Sequence, residues 1–164
     1  MAGLVLTDAS PLIGLARVDG LDWLHALFGR VRMPEEVYRE VVPGLGFAEE
    51  RDILAAETAG WLAVHRPTPA LPPLPDLDEG EAACIRIALA HAGPALLLMD
   101  DRAGRALALE QGLRVAGTAA VIGMAKSRGL IASARQAFAR LHASDFRISP
   151  SVIETVLRRV GEMP

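Results

Sequence analysis

The sequence predicts an α/β fold: a parallel sheet covered by helices on both faces. Three observations carry that prediction. Strand-like and helix-like segments alternate along the chain. The strand-like runs are apolar throughout instead of alternating in polarity, as strands buried on both faces are. Of the 164 residues 51% are apolar and 23% charged, which is enough to bury a core and unlike a disordered chain. No repeat or change of composition marks a second domain, so residues 1–164 are expected to form one unit of ordinary size.

The elements follow in order. Leu4-Val5-Leu6-Thr7 is a short β-compatible run that ends at Asp8. Ser10 is placed to cap a helix whose first position takes Pro11, with the helix running over Leu12 to Arg17. Leu21 to Phe28 reads as a second helix, and Val31 lies in a brief strand. Pro34 then opens a helix with Glu35 and Glu36 in its first turn, where the helix dipole favours negative charge. That helix stops near Pro43-Gly44. Phe47 to Ala59 is helical and ended by Gly60; Trp61 to Val64 is a strand. Pro67 to Pro75 holds five prolines and reads as an ordered loop or extended spacer, although its PxxP spacing also suits an SH3-type ligand. Asp78 to His91 is a strong helix, Ala95 to Met99 a fully apolar strand, and Asp101 to Gln111 a helix ended by Gly112. Leu113-Arg114-Val115 is a short strand. Helices at Thr118 to Arg128, about Ser133 to His142, and Ser149 to Val160 complete the chain.

Composition narrows the function classes. No apolar run approaches the roughly 20 residues of a membrane span, and MAGLVLTDAS lacks the basic start and apolar stretch of a signal peptide. A single cysteine, Cys84, forbids an internal disulfide, and no Cys/His spacing suits zinc. A reducing cytoplasm is the expected compartment. The net charge of −3 argues against a broad basic surface for polyanions. A nucleic-acid enzyme remains compatible with it, because cations bound among carboxylates reverse the local sign.

Ligands of open parallel sheets bind beyond the carboxyl ends of the strands. Two strands here run directly into acid: LVLT into Asp8, and ALLLM into Asp100-Asp101. If those strands are neighbours, their carboxylates repel, and a proton or a cation must come between them. Magnesium is commonly held by a few carboxylates plus water. The plainer alternative is that Asp8 and Asp101 only cap the helices that follow. Glu81 is likewise open to two readings, since Asp78 with Glu81 three residues on resembles a capping box. Glu40 lies near the end of its helix, where negative charge opposes the dipole, and is either solvated surface or part of a site. Thr118 can cap its helix or bind a water or phosphate oxygen. Arg102 and Arg105 can touch phosphate or pair with the acids. The four histidines share no spacing, and Cys84 reads as a small buried hydrophobe.

Taken together, four segments resemble the PIN-domain nucleases. They are Asp8-Ala9-Ser10-Pro11-Leu12-Ile13; Pro34 through Val37-Tyr38-Arg39-Glu40-Val41; Asp78-Glu79-Gly80-Glu81-Ala82; and Leu97-Leu98-Met99-Asp100-Asp101-Arg102. Gly117-Thr118 and Met124-Ala125-Lys126-Ser127-Arg128-Gly129-Leu130-Ile131 look like a prokaryotic branch related to the VapC toxins. The resemblance implies a Rossmann-like α/β/α fold with a parallel sheet of about five strands. It implies that Asp8, Glu40, Glu81 and Asp100 converge on one or two Mg²⁺ or Mn²⁺ ions, with Asp101 nearby, Asp8, Glu81 and Asp100 being the metal ligands. Ser10 and Thr118 match small hydroxyl positions beside the site, and Arg105 is a candidate substrate contact. The implied activity is hydrolysis of RNA by metal-activated water. The implied setting is a toxin-like homodimer restrained by a cognate antitoxin. A non-catalytic RNA- or protein-binding module is the main rival. A phosphoryl-accepting receiver domain is disfavoured, because the only lysine, Lys126, falls inside a helix. A dinucleotide-binding oxidoreductase would need a GxGxxG after the first strand, and there is none.

Overall fold

The apolar runs read as strands lie side by side and all parallel. The computed structural model describes residues 3–164, and these contain five strands: β1 (Leu4–Thr7), β2 (Val31–Pro34), β3 (Leu62–His65), β4 (Ala95–Leu98) and β5 (Arg114–Ala116). The sheet order is β3-β2-β1-β4-β5. The chain therefore builds outward from β1 to one edge, crosses back, and builds from β4 to the other. Leu4 pairs with Ala95 and Thr7 with Leu98, so β1 and β4 end level with each other. The order reverses between them, and the crevice that opens there at the carboxyl ends is where such sheets bind ligands.

Nine helices accompany the strands among the described residues: α1 (Ala9–Arg17), α2 (Leu21–Phe28), α3 (Glu35–Val41), α4 (Ala48–Ala59), α5 (Glu79–Ala90), α6 (Arg102–Glu110), α7 (Thr118–Ser127), α8 (Ala134–Ala143) and α9 (Pro150–Arg159). α5 lies against β1, β2 and β4 with α6 beside it, while α1, α2, α4 and α7 pack on one another in a second layer. The result is the three-layer α/β/α arrangement. Its core is aliphatic, as the scarcity of aromatics requires: Leu6, Leu12, Leu15, Met33, Ile85, Leu97 and Ile122 are fully buried. Each such side chain contributes roughly 1.5–3 kcal/mol of hydrophobic stabilisation.

The sequence boundaries need one correction that matters for the site. The first helix begins at Ala9 with Asp8, not Ser10, at its N-cap. β1 delivers extended backbone directly to Asp8, and Pro11 sits inside the first turn, where its missing N–H costs no hydrogen bond. The proline-rich stretch is the expected loop: residues 66–78 form neither helix nor strand. It is tied down by Arg86 donating to the Pro72 carbonyl at 2.8 Å and by Thr68 donating to Glu36 at 2.8 Å. No helix of the described residues is long and apolar enough to cross a membrane.

Candidate functional site

Asp8 stands directly after β1, at the carboxyl end of the sheet, and is buried there without lining the open cleft. Its backbone N–H continues the ladder onto Leu98 of β4 at 2.9 Å. Although it sits at the N-cap of α1, its side chain makes no capping hydrogen bond. The residue is buried, and its Oδ1 has no hydrogen-bond partner. The capping alternative thus fails for Asp8. Gly80 is part of the reason for its burial: a Cβ at that position would stand 2.9 Å from Asp8 Oδ1. The first turn of α5 approaches the carboxylate closely enough that only glycine fits without a shift.

Burial pushes the Asp8 carboxyl up from 3.8 to about 7; the Ala9 backbone N–H acts against this, and the charges of Asp78, Glu81 and Glu40 add to it. Burial likewise raises Glu81, and the charges of Asp78 and Asp101 push it further while the Asp78 backbone N–H opposes. Glu40 is raised by desolvation and by Asp78. The mutual effects place Asp8, Glu40, Asp78, Glu81 and Asp101 in one electrostatic neighbourhood. Glu40 is its outlier, exposed at the end of α3.

Asp100 is held differently. Its Oδ1 accepts the Thr118 backbone N–H and its Oδ2 the Thr118 hydroxyl, both at 2.7 Å. Thr118 is fully buried and is the first residue of α7, not its cap, so both donors face Asp100 instead of solvent. Asp100 thereby fills the anion-favouring N-terminus of α7 from the end of the neighbouring strand. Gly117 makes room, since a Cβ there would lie 2.9 Å from both Asp100 Oδ1 and Arg105 Nη1. Asp101 caps α6 by accepting the Gly104 N–H at 2.9 Å. Asp78 and Glu81 form the full capping box of α5, with Glu81 N–H donating to Asp78 Oδ1 at 2.8 Å and Asp78 N–H to Glu81 Oε2 at 3.2 Å. For Glu81 the two readings coexist, because one of its oxygens caps while the residue also borders the cleft.

That cleft has a volume of about 1050 Å³, and Ser10, Glu81, Asp100, Asp101, Arg102 and Arg105 line its acidic end. Arg105 donates to the Met99 carbonyl at 3.1 Å and forms no ion pair with the acids. Asp78 and Gly80 were missed as site residues by sequence reasoning. The signal was present in Asp78-Glu79-Gly80-Glu81, but the motif accounts for itself as a helix start and hides its second use.

A family model described as a PIN domain matches residues 4–162. The chain belongs to the PIN-domain family. Neither the curated proteins nor the solved structures include a significant match. Membership in the PIN domains points to nuclease-type, hydrolytic function on nucleic acid, generally with divalent metal.

The residues present suit such a metal in chemistry. All the candidate donors are hard carboxylate oxygens, and the partnerless Asp8 Oδ1 requires a proton or a cation. Among the described residues no three potential ligands stand close enough to form a finished cage. A small cation that keeps several waters needs only one or two carboxylates, so the open arrangement remains compatible with it.

Proposed function

We propose that this PIN domain is a Mg²⁺- or Mn²⁺-dependent endoribonuclease, a single-domain member of the branch related to the VapC toxins. The buried carboxylate of Asp8 at the β1/β4 crevice, with its Oδ1 left without a hydrogen-bond partner, carries this reading. Such a group costs stability and is retained where a cation or a reacting proton uses it. Asp8, Glu81 and Asp100 would hold the cation, with Glu40 and Asp101 adding negative charge around it. A bound divalent ion there would supply charge neutralisation and a more acidic water at neutral pH. The chain's own parts do the rest. Thr118 fixes Asp100 in one orientation, Ser10 lies at the cleft wall, and Arg105, anchored on the Met99 carbonyl, offers positive charge to a phosphate. In this reading the protein works in the cytoplasm as a homodimer whose activity a cognate antitoxin restrains.

A second reading, a non-catalytic PIN module that binds RNA or protein, is favoured by the absence of a finished ligand cage among the described residues. One experiment separates the two. Wild type, Asp8→Asn and Asp100→Asn are purified identically and given single- and double-stranded RNAs with Mg²⁺, Mn²⁺ or EDTA. Cleavage by wild type that is lost in EDTA and in both variants is the expected result. Equal cleavage by all three would trace the activity to a contaminant, and none by any would support the binding module.

A further inference from the structure

The cleft has a second wall, contributed by the C-terminal part of the chain. It is formed by the segment Asp145 to Ser149 and by one face of α9, where Ser151, Thr155 and Arg159 recur every four residues and so form a single stripe along the helix. Arg147 and Arg159 lie on this wall, and Arg102 and Arg105 flank the acidic end. The ion pairs among the described residues engage Arg17, Arg66, Arg140 and Arg158; none engages an arginine of the cleft. Arginines left without carboxylate partners beside a cluster of acids are available to an anionic ligand, and guanidinium is suited to phosphate.

The wall is also fixed in place relative to the acids. The Phe146 ring packs against α1 at Gly14, where a Cβ would stand 2.7 Å from the ring edge. The Ile148 N–H donates to His142 Nε2 at 3.3 Å. α9 sits on α7 at Gly123, whose Cβ would stand 2.9 Å from Val156 Cγ1. α7 is the helix whose first residue grips Asp100, so one rigid element spans from the acids to the second wall. Phe146, Ile148, Val152 and Val156 line the same wall, so it offers apolar surface beside its charge and hydroxyl groups.

We infer that this wall, through Arg147 and Arg159, binds the phosphodiester backbone of a single-stranded nucleic acid and lays it across the acidic end of the cleft. The inference rests on the nuclease reading for what happens to the strand, but strand binding itself can be measured without catalysis. The wall reads phosphate, which RNA and DNA share. The cleft volume of about 1050 Å³ lies just above the roughly 300–1,000 Å³ typical of small-ligand pockets, room for a short stretch of one strand.

The test is fluorescence anisotropy of labelled single-stranded RNA and DNA of matched sequence on the full chain in EDTA, so that cutting is off. The protein is compared with Arg147→Ala/Arg159→Ala and with Arg158→Ala, a control whose arginine pairs with Glu154 outside the cleft. The double variant is expected to bind at least tenfold more weakly. The slope of log affinity against log salt should be smaller by about 1.4, two phosphate contacts at roughly 0.7 each. Arg158→Ala should match wild type. Circular dichroism melts show whether the variants fold, and Arg147→Lys/Arg159→Lys, which keeps the charge, should retain the slope. An unchanged affinity and slope in the double variant, an equal loss in Arg158→Ala, or no binding by wild type would each overturn the inference. Cleavage assays on the same proteins keep the two claims apart. Normal binding without any cleavage defeats the nuclease reading alone, and cleavage unaffected by the double variant at limiting RNA defeats the wall alone.

Discussion

The Asp8 oxygen without a partner makes the residue proposed to hold the cation a destabilising one in the metal-free fold. Replacing Asp8 by Asn removes the charge while keeping the shape, so Asp8→Asn is expected to raise the stability of the metal-free protein at pH 8 by up to a few kcal/mol while abolishing cleavage. Urea unfolding beside the RNA assay checks both, and a destabilised Asp8→Asn would show that the carboxylate has a partner in solution. Thr118 gives the opposite case. Thr118→Val keeps volume but leaves Asp100 Oδ2 without the hydroxyl that it accepts from at 2.7 Å. A loss of about 1–3 kcal/mol is expected, and activity should fall about 10–100-fold, the usual cost of losing an outer partner of a metal ligand. Wild-type activity in a folded Thr118→Val would remove the positioning role. At this scale Asp8 and Asp100 were legible as candidates because strands run straight into them, whereas the spacing of Glu81 spoke only for the capping box that the structure shows, and the family resemblance alone put it forward for the site. Asp8's isolation, Thr118's grip on Asp100 and the part of Asp78 were not. Each depends on which neighbour another element brings up, such as Gly80 of α5, and no local pattern encodes that.

Among elements, close approach is purchased with small residues where α7 must meet α9. Gly123→Ala should gain up to about 1 kcal/mol in helix propensity. The Cβ 2.9 Å from Val156 Cγ1 forces α9 away, however, at a typical overpacking cost of 1–3 kcal/mol. Net destabilisation of about 1 kcal/mol is expected, and Gly123→Ala/Val156→Ala should recover part of it. A double-mutant cycle from thermal or urea unfolding reads the coupling, and strict additivity would show that the two helices do not touch as described. The strands and helices themselves were readable one by one, since apolar runs, prolines at helix starts and glycines at helix ends are local signals. The order β3-β2-β1-β4-β5 was less so. The alternation implied a parallel sheet, but placing β4 beside β1 depends on pairing across some 90 residues, which only the condition that two acid-tipped strands be neighbours anticipated. The first boundary slipped for a related reason: Ser10-Pro11 is a good local start, and the sheet overrides it by delivering the chain to the helix at Asp8.

For the molecule as a whole, the acid cluster links folding to protons and, on the proposed function, to cations. Asp8 prefers its neutral form in the fold, with its carboxyl near 7 against 3.8. Between those values the folded state holds more protons than the unfolded state, so stability falls as pH rises from about 4 to about 7 and levels off above. Glu81 and Glu40 are raised too and act in the same direction. A shift of about three units at Asp8 corresponds to a loss on the order of 4 kcal/mol across that window. The lowered carboxyls of Glu49 and Glu162 work oppositely, adding stability above the usual glutamate range that is lost in more acid solution; both are surface ties, and their contribution is complete before Asp8 finishes titrating. In EDTA, wild type should therefore unfold at lower urea at pH 8 than at pH 5.5, and Asp8→Asn should show a markedly flatter profile. A divalent cation binding only the fold restores what the charge removes, about 2.7 kcal/mol at a hundredfold excess over its Kd. Because protons compete for the same oxygens, Mn²⁺ should raise the melting temperature more at pH 8 than at pH 5.5 and should do little for Asp8→Asn. If the two proteins shared one pH profile and one Mn²⁺ response, the linkage would lie elsewhere and Asp8 would not be the residue that couples the fold to its metal.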